Sequence, residues 1–179
     1  MCNESVELSG CRNIMALENI TSVSASVSRL YAIQAVYQLD FIENDKSNID
    51  YDTLSAFFEE YYIEGDLRVL AYAEPDIFLF RKIFSGIVID KGKLDGWIAD
   101  SLMEEWPIDR IDPTLKAIFR CFGFEVSVLE GMTLGELVRE YIGITQAFFP
   151  YQKDVVKFVN GVVDTMAHCI RSEAEKSNT

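Results

Sequence analysis

The sequence predicts an all-α protein of about seven helices, and three observations lead there. Apolar residues recur every three or four positions in seven successive segments, the spacing that gives a helix one buried face. Capping residues stand at the start of several of these segments. No stretch alternates with period two for long enough to require a sheet, residues 124–128 (FEVSV) being the one short ambiguous case. The connections are short, which favours antiparallel neighbours packed in bundles.

Residues 1–24 lack sustained periodicity and are rich in Ser, Asn and small residues, so a mobile extension is expected there. A helical domain over 25–171 and a tail over 172–179 complete the expected organisation. The first helix places Leu30, Ile33, Tyr37 and Phe41 on one stripe, with Ser24 or Ser26 as its cap. Leu54, Phe57, Phe58 and Tyr61 start a second apolar face, which Gly65 stops. Asp76 after Pro75 opens a third helix carrying Ile77, Phe80, Phe84, Ile87 and Val88. Leu94, Trp97, Ile98 and Leu102 make a shorter fourth, closed by Trp106-Pro107.

Asp112-Pro113 opens the fifth, since Asp accepts free first-turn amides and Pro is preorganised at the first helical position. Its buried face is read as Leu115, Ile118, Phe119 and Phe122. Thr133 and Glu136 form a capping box leading into Leu134, Leu137, Val138, Tyr141 and Phe148. The last helix begins near Asp154 and carries Phe158, Val159, Val162, Val163, Met166 and Ile170.

Composition narrows the function. The 179 residues carry 29 acids against 16 bases, a net charge of −13 that argues against a general polyanion binder. Nine acids and one base fall within residues 40–66, so much of the acidity sits in one middle segment. No apolar run approaches the length that crosses a bilayer, and Glu4 and Glu7 stand where a secretory signal would be basic, which predicts a cytoplasmic protein. Cys2, Cys11, Cys121 and Cys169 form no CxxC pair and read as reduced thiols rather than a disulfide or zinc framework.

An enzyme is not expected either. His168, the single histidine, neighbours Cys169 on a helix, where adjacent side chains point about 100° apart and cannot form a nucleophile–base pair. Asp40, Glu43, Asp45, Asp50 and Asp52 lack the order of a calcium loop and read as solvated. No Gly-rich phosphate loop occurs, and no cofactor is implied.

Three stretches, in order, resemble the NusB family of transcription antitermination factors. Residues 28–38 (SRLYAIQAVYQ) are similar to the family's R-x3-A-x-QALYQ. Ile111-Asp112-Pro113 through Ala117-Ile118-Phe119-Arg120 resembles L-D-P-x3-A-I-L-R, and residues 157–164 (KFVNGVVD) nearly repeat K-F-V-N-G-V-L-D. The resemblance covers roughly residues 25–171. It implies two small packed helical bundles, pairing with the ribosomal protein NusE, and binding of boxA RNA in nascent ribosomal RNA transcripts within the RNA polymerase antitermination complex. A helical protein-interaction module with little intrinsic RNA binding is the alternative. The RNA-binding domain of a ribosomal RNA methyltransferase shares this fold, but no methyltransferase domain is expected before Thr179.

Under the resemblance, Arg29, Arg139, Lys157 and Asn160 are the candidate RNA contacts, and Tyr37 and Leu115 the candidate NusE contacts. Each also has a structural reading. Arg29 is expected at an exposed helix start, where phosphate contact and plain solvation are both open. Lys157 at the start of the last helix opposes the macrodipole and suits a phosphate better than it suits the helix. Gly161, next to Asn160, is expected at a close helix–helix contact. Arg120, on an apolar face and five residues before Glu125, is expected in a partly buried ion pair. Tyr37 could equally be core with its hydroxyl at the surface. The family's arginine-rich arm is replaced here by residues 24–28 (SASVS) followed by Arg29 alone, while Arg139 adds a base where the family has asparagine.

Overall fold

The computed structural model describes residues 4–44, 56, 58, 60, 73–103 and 106–177; within the first helix, the side chains described are those of 22–42. Five α-helices run through them: α1 (Glu4–Asn44), α2 (Ile77–Ser101), α3 (Pro113–Ser127), α4 (Leu134–Phe148) and α5 (Lys153–Ser177). A single 3-10 turn, Ile108–Arg110, follows Trp106-Pro107. There is no strand among the described residues, and the ambiguous residues 124–127 continue α3.

The helix count is therefore five among the described residues, not about seven. The expected third and fourth helices run together as α2, two helical stretches joined across a kink, with Ile87 buried before it and Leu94, Trp97 and Ile98 buried after it. Only Asp90 departs from helical geometry there (φ −105°, ψ 15°). Of the expected second helix, Phe58 is fully buried, whereas Leu54, Phe57, Tyr61 and Gly65 lie outside the described residues. α1 begins at Glu4, so Ser24 and Ser26 lie inside it and do not cap it.

Three of the expected starts are made as their chemistry dictates. Asp76 accepts from the amides of Phe78 and Leu79 at 2.9 and 3.1 Å, and Asp112 from that of Thr114 at 2.7 Å. Thr133 and Glu136 close both halves of their capping box. Each such cap satisfies amides the helix itself leaves unpaired, typically worth about 1 kcal/mol.

α3 is the centre of the molecule. Every residue from Ala117 to Val126 is buried, and α1, α2, α4 and α5 all pack on it. That follows from its sequence, since a helix whose only charges between Ala117 and Val126 are Arg120 and Glu125 finds no stable place at a surface. The helices meet where side chains are missing: a Cβ on Gly86 of α2 would overlap the Phe124 ring, and one on Gly123 would overlap the end of Met166 in α5. On α1 the buried set is Tyr31, Ala32, Ile33, Ala35, Val36 and Leu39, so the inward face is rotated from the expected stripe. Phe41 is consequently 54% exposed. No helix among the described residues is long and apolar enough to cross a membrane.

Candidate nucleic-acid interface

Arg29 is not at an exposed helix start. It is 6% exposed, on the inward side of α1, where Nε and Nη2 donate to the two carboxylate oxygens of Glu125 at 2.8 and 2.9 Å. The Tyr141 hydroxyl donates to the same carboxylate at 2.7 Å, and Glu140 Oε1 lies 3.8 Å from Arg29 Nη1. One buried guanidinium thus ties α1 to α3 and α4. Burial, with the negative Glu125 beside it, pushes the Tyr141 phenol well above its ordinary value, so it remains a donor. α1 continues toward Glu4, so Arg29 falls in mid-helix, opposite the carboxylate of α3.

Arg120 is paired as expected, but with other carboxylates than Glu125. Nε and Nη2 donate to Asp95 at 2.6 and 2.8 Å, and Nη1 to Asp40 at 2.7 and 2.8 Å. Lys91 adds a contact to Asp40 at 2.9 Å. Burial alone would raise the Asp40 carboxyl; the hydrogen bonds from Lys91 and Arg120 outweigh it and hold the group below its usual value. Asp40 is therefore a half-buried structural anion and not part of a solvated acidic loop. Asp45, Asp50 and Asp52 lie outside the described residues, as does the Glu43 side chain.

The serines that stand where the family carries arginines are engaged within the chain. Ser24 Oγ donates to the Glu74 carbonyl at 2.6 Å, and the buried Ser28 to the Ser24 and Asp76 carbonyls at 2.9 Å each. They fasten α1 to the segment leading into α2. An open cleft between α1 and α4 is lined by Ser22, Ala25, Met132, Glu136 and Arg139, with Arg29 and Glu140 at its floor. Arg139 is its exposed cation.

The other candidates lie on α5. Lys153, Lys157, Asn160 and Asp164 are spaced four, three and four residues apart on its exposed side. The Lys157 side chain is 79% exposed, with Asp154 at 3.6 Å, and Asn160 donates to Asp164 at 3.4 Å. Gly161 is exposed too, and a Cβ there would meet nothing within 4 Å, so the expected close helix contact is absent; it occurs at Gly86 and Gly123 instead. No hydrogen bond or ion pair among the described residues joins Arg139 to Lys157 or Asn160.

Of the candidate partner contacts, Leu115 is only 6% exposed and belongs to the core. Tyr37 is half-buried, its ring 4.9 Å from that of Phe41. Phe41 is the surface residue the apolar spacing misassigned. His168 is exposed, beside a half-buried Cys169. Asp95 carries no mark in the sequence as the partner of Arg120, and Glu125, which stands five residues after Arg120, pairs instead with Arg29. Glu125 had a signal, since a lone carboxylate in the apolar run of α3 requires a buried cation.

Residues 26–168 match the model of the NusB family. The chain is 34% identical over 154 residues to a transcription antitermination protein NusB of Brucella ovis, covering 86% of each chain. It is 35% identical over 156 residues to that of Rhizobium etli, covering 87% of this chain and 93% of the relative. Its fold is similar to T. maritima NusB (TM-score 0.61, 22% identity, 80% of this chain and 89% of that one). A NusB–NusE complex with double-stranded RNA gives a TM-score of 0.60 at 17% identity, covering 80% of this chain and 96% of the other.

Proposed function

The chain belongs to the NusB family, and on that premise we propose that it is a cytoplasmic transcription antitermination factor, not an enzyme. It pairs with the ribosomal protein NusE and binds boxA-type RNA in nascent ribosomal RNA transcripts, within the polymerase antitermination complex. The observation that carries this reading is the match to curated antitermination proteins over most of both chains. The two small bundles belong to the same reading: α1 and α5 each pack on the central α2–α3 pair, one bundle forming around each.

Lys157 and Asn160 on α5, with Arg139 on α4, are the RNA-facing groups, and Tyr37 with the exposed Phe41 is the NusE-facing pair. Arg29 and Leu115 support the fold beneath them. With two exposed cations in place of an arginine arm, RNA affinity is modest and its salt slope shallow, about 1.4 in log–log terms on a single strand.

Titrating boxA RNA into the protein with and without NusE tests this. Weak binding alone and tighter binding with NusE is the expected result; no RNA binding in either case, with NusE still bound, would leave the interaction-module reading. One observation favours that second reading, namely that Arg29 is committed to Glu125 and so withdrawn from any phosphate.

A further inference from the structure

Trp106 is left over from the fold and from the contacts already assigned. The chain has two tryptophans. Trp97 is 5% exposed and its indole N–H donates to Glu173 at 2.8 Å, so packing and hydrogen bonding account for it. Trp106 is 52% exposed, and its indole N–H has no partner among the described residues. The ring lies on Phe158 of α5, with centroids 5.5 Å apart and planes tilted by 35°. Phe158 in turn meets Phe119 of α3 edge to face at 6.1 Å. The indole is thus mounted on the core with about half of its surface open.

Two features of α5 border Phe158. Lys157, which precedes it, has a side chain 79% exposed. Gly161 stands one helical turn beyond both, three residues from Phe158 and four from Lys157, and a Cβ there would meet nothing within 4 Å. Packing among the described residues does not require that glycine, and its missing side chain leaves the helix surface low beside the aromatic pair.

We propose that Trp106 is a base-stacking residue: one base of a bound single-stranded RNA lies on the open half of the indole, with its phosphate on Lys157, in the space left by Gly161. The proposal rests on RNA binding by this chain, inferred above from its family, and names the contact that supplies affinity where charge is scarce. Asp154 lies 3.6 Å from Lys157 and the chain carries a net charge of −13, so ionic attraction to a phosphate is weak here. Stacking on a π-face needs no charge and tolerates any base. The occupant is a single strand because the bases of a duplex are already stacked on one another.

The test is a titration of boxA RNA into the full chain with NusE bound, following tryptophan emission and repeated across salt concentrations. Wild-type emission should fall as RNA binds, since a stacked base quenches an indole, while the buried Trp97 is unaffected. Trp106→Phe should keep most of the affinity and lose the quenching. Trp106→Ala should weaken binding by roughly 5- to 150-fold. Its slope of log affinity against log salt should not change, because no phosphate contact leaves with the ring. Lys157→Gln should instead make that slope shallower by about 0.7. Unquenched wild-type emission at RNA saturation overturns the proposal, whatever the alanine variant does. Unchanged affinity in a folded Trp106→Ala protein overturns it as well, and in both cases RNA binding by the chain still stands. Weakened NusE binding with unchanged RNA binding in that variant assigns the ring to the protein partner and overturns it too, as does tighter binding of a duplex than of the single strand. A wild type that binds no RNA even with NusE overturns both the stacking and the function on which it rests.

Discussion

Replacing Arg29 by alanine separates a core arginine from a surface one. In the structure this leaves the Glu125 carboxylate buried, with two of its three hydrogen bonds gone and only the Tyr141 hydroxyl remaining. Removing one partner of a buried pair in this way costs about 3–5 kcal/mol, because a charge stays behind without compensation. For a chain of this length each kcal/mol moves the melting temperature by about 2–4 °C, so a fall of roughly 6–20 °C is expected. Differential scanning calorimetry measures it. The triple change Arg29→Met/Glu125→Met/Tyr141→Phe removes all three polar groups together and should recover most of the loss, since apolar replacements of a whole buried network are often near neutral. An Arg29→Ala protein melting within about 1 °C of the wild type would refute the reasoning and return Arg29 to the surface. The same experiment governs RNA work: lost RNA binding in an Arg29 variant would report unfolding, not a missing phosphate contact.

Other perturbations have equally definite outcomes. Lys157→Glu should weaken boxA binding in the presence of NusE while changing stability by no more than about 0.5 kcal/mol, read by RNA titration beside a thermal melt. Gly161→Ala should stabilise by about 1 kcal/mol, whereas Gly86→Ala, forced into the Phe124 ring, should destabilise by about 1–3 kcal/mol; urea unfolding gives both. The Asp40 carboxyl is held low by Lys91 and Arg120, so its contribution is full above about pH 4 and is lost as pH falls through its folded value. Arg120→Met should reduce that acid-side loss in urea titrations, and Lys91→Met with Arg120→Met should abolish it. Tyr141 has a raised value, so its contribution is present below about pH 10 and is lost above it as the unfolded chain ionises first; Tyr141→Phe should flatten that alkaline decline.

Most of the fold was legible because it rests on local rules. Asp76, Asp112 and the Thr133–Glu136 box start their helices as their side-chain chemistry requires, and α5 buries the apolar positions its spacing names except Phe158, which is half-buried. The departures come from tertiary placement. A helix start at Glu4 cannot be read from a segment without apolar period, and the turn of α1 about its own axis that exposes Phe41 depends on where α2 and α3 sit. The polar run around Asp90 marks a real break in helical geometry, but a kink of one residue joins the two stretches where the sequence suggests separate helices.

The site was less legible for a related reason: an arginine's role depends on what lies opposite. Arg29 and Lys157 both occur in family-like motifs and both look like phosphate ligands along the chain. Arg29 meets a carboxylate that α3 cannot bury unpaired, while Lys157 faces outward beside Asp154. Glu125, standing within an unbroken buried run, was the sequence's own evidence that one cation would be drawn inward. Arg120, on the same helix, is taken by Asp40 and Asp95, so the cation had to come from another helix, and α1 supplies it. The burial of Arg29 thus has one consequence for the proposed function: Arg139 and Lys157 are the exposed cations it leaves for RNA, and the boxA titration with and without NusE tests whether they suffice.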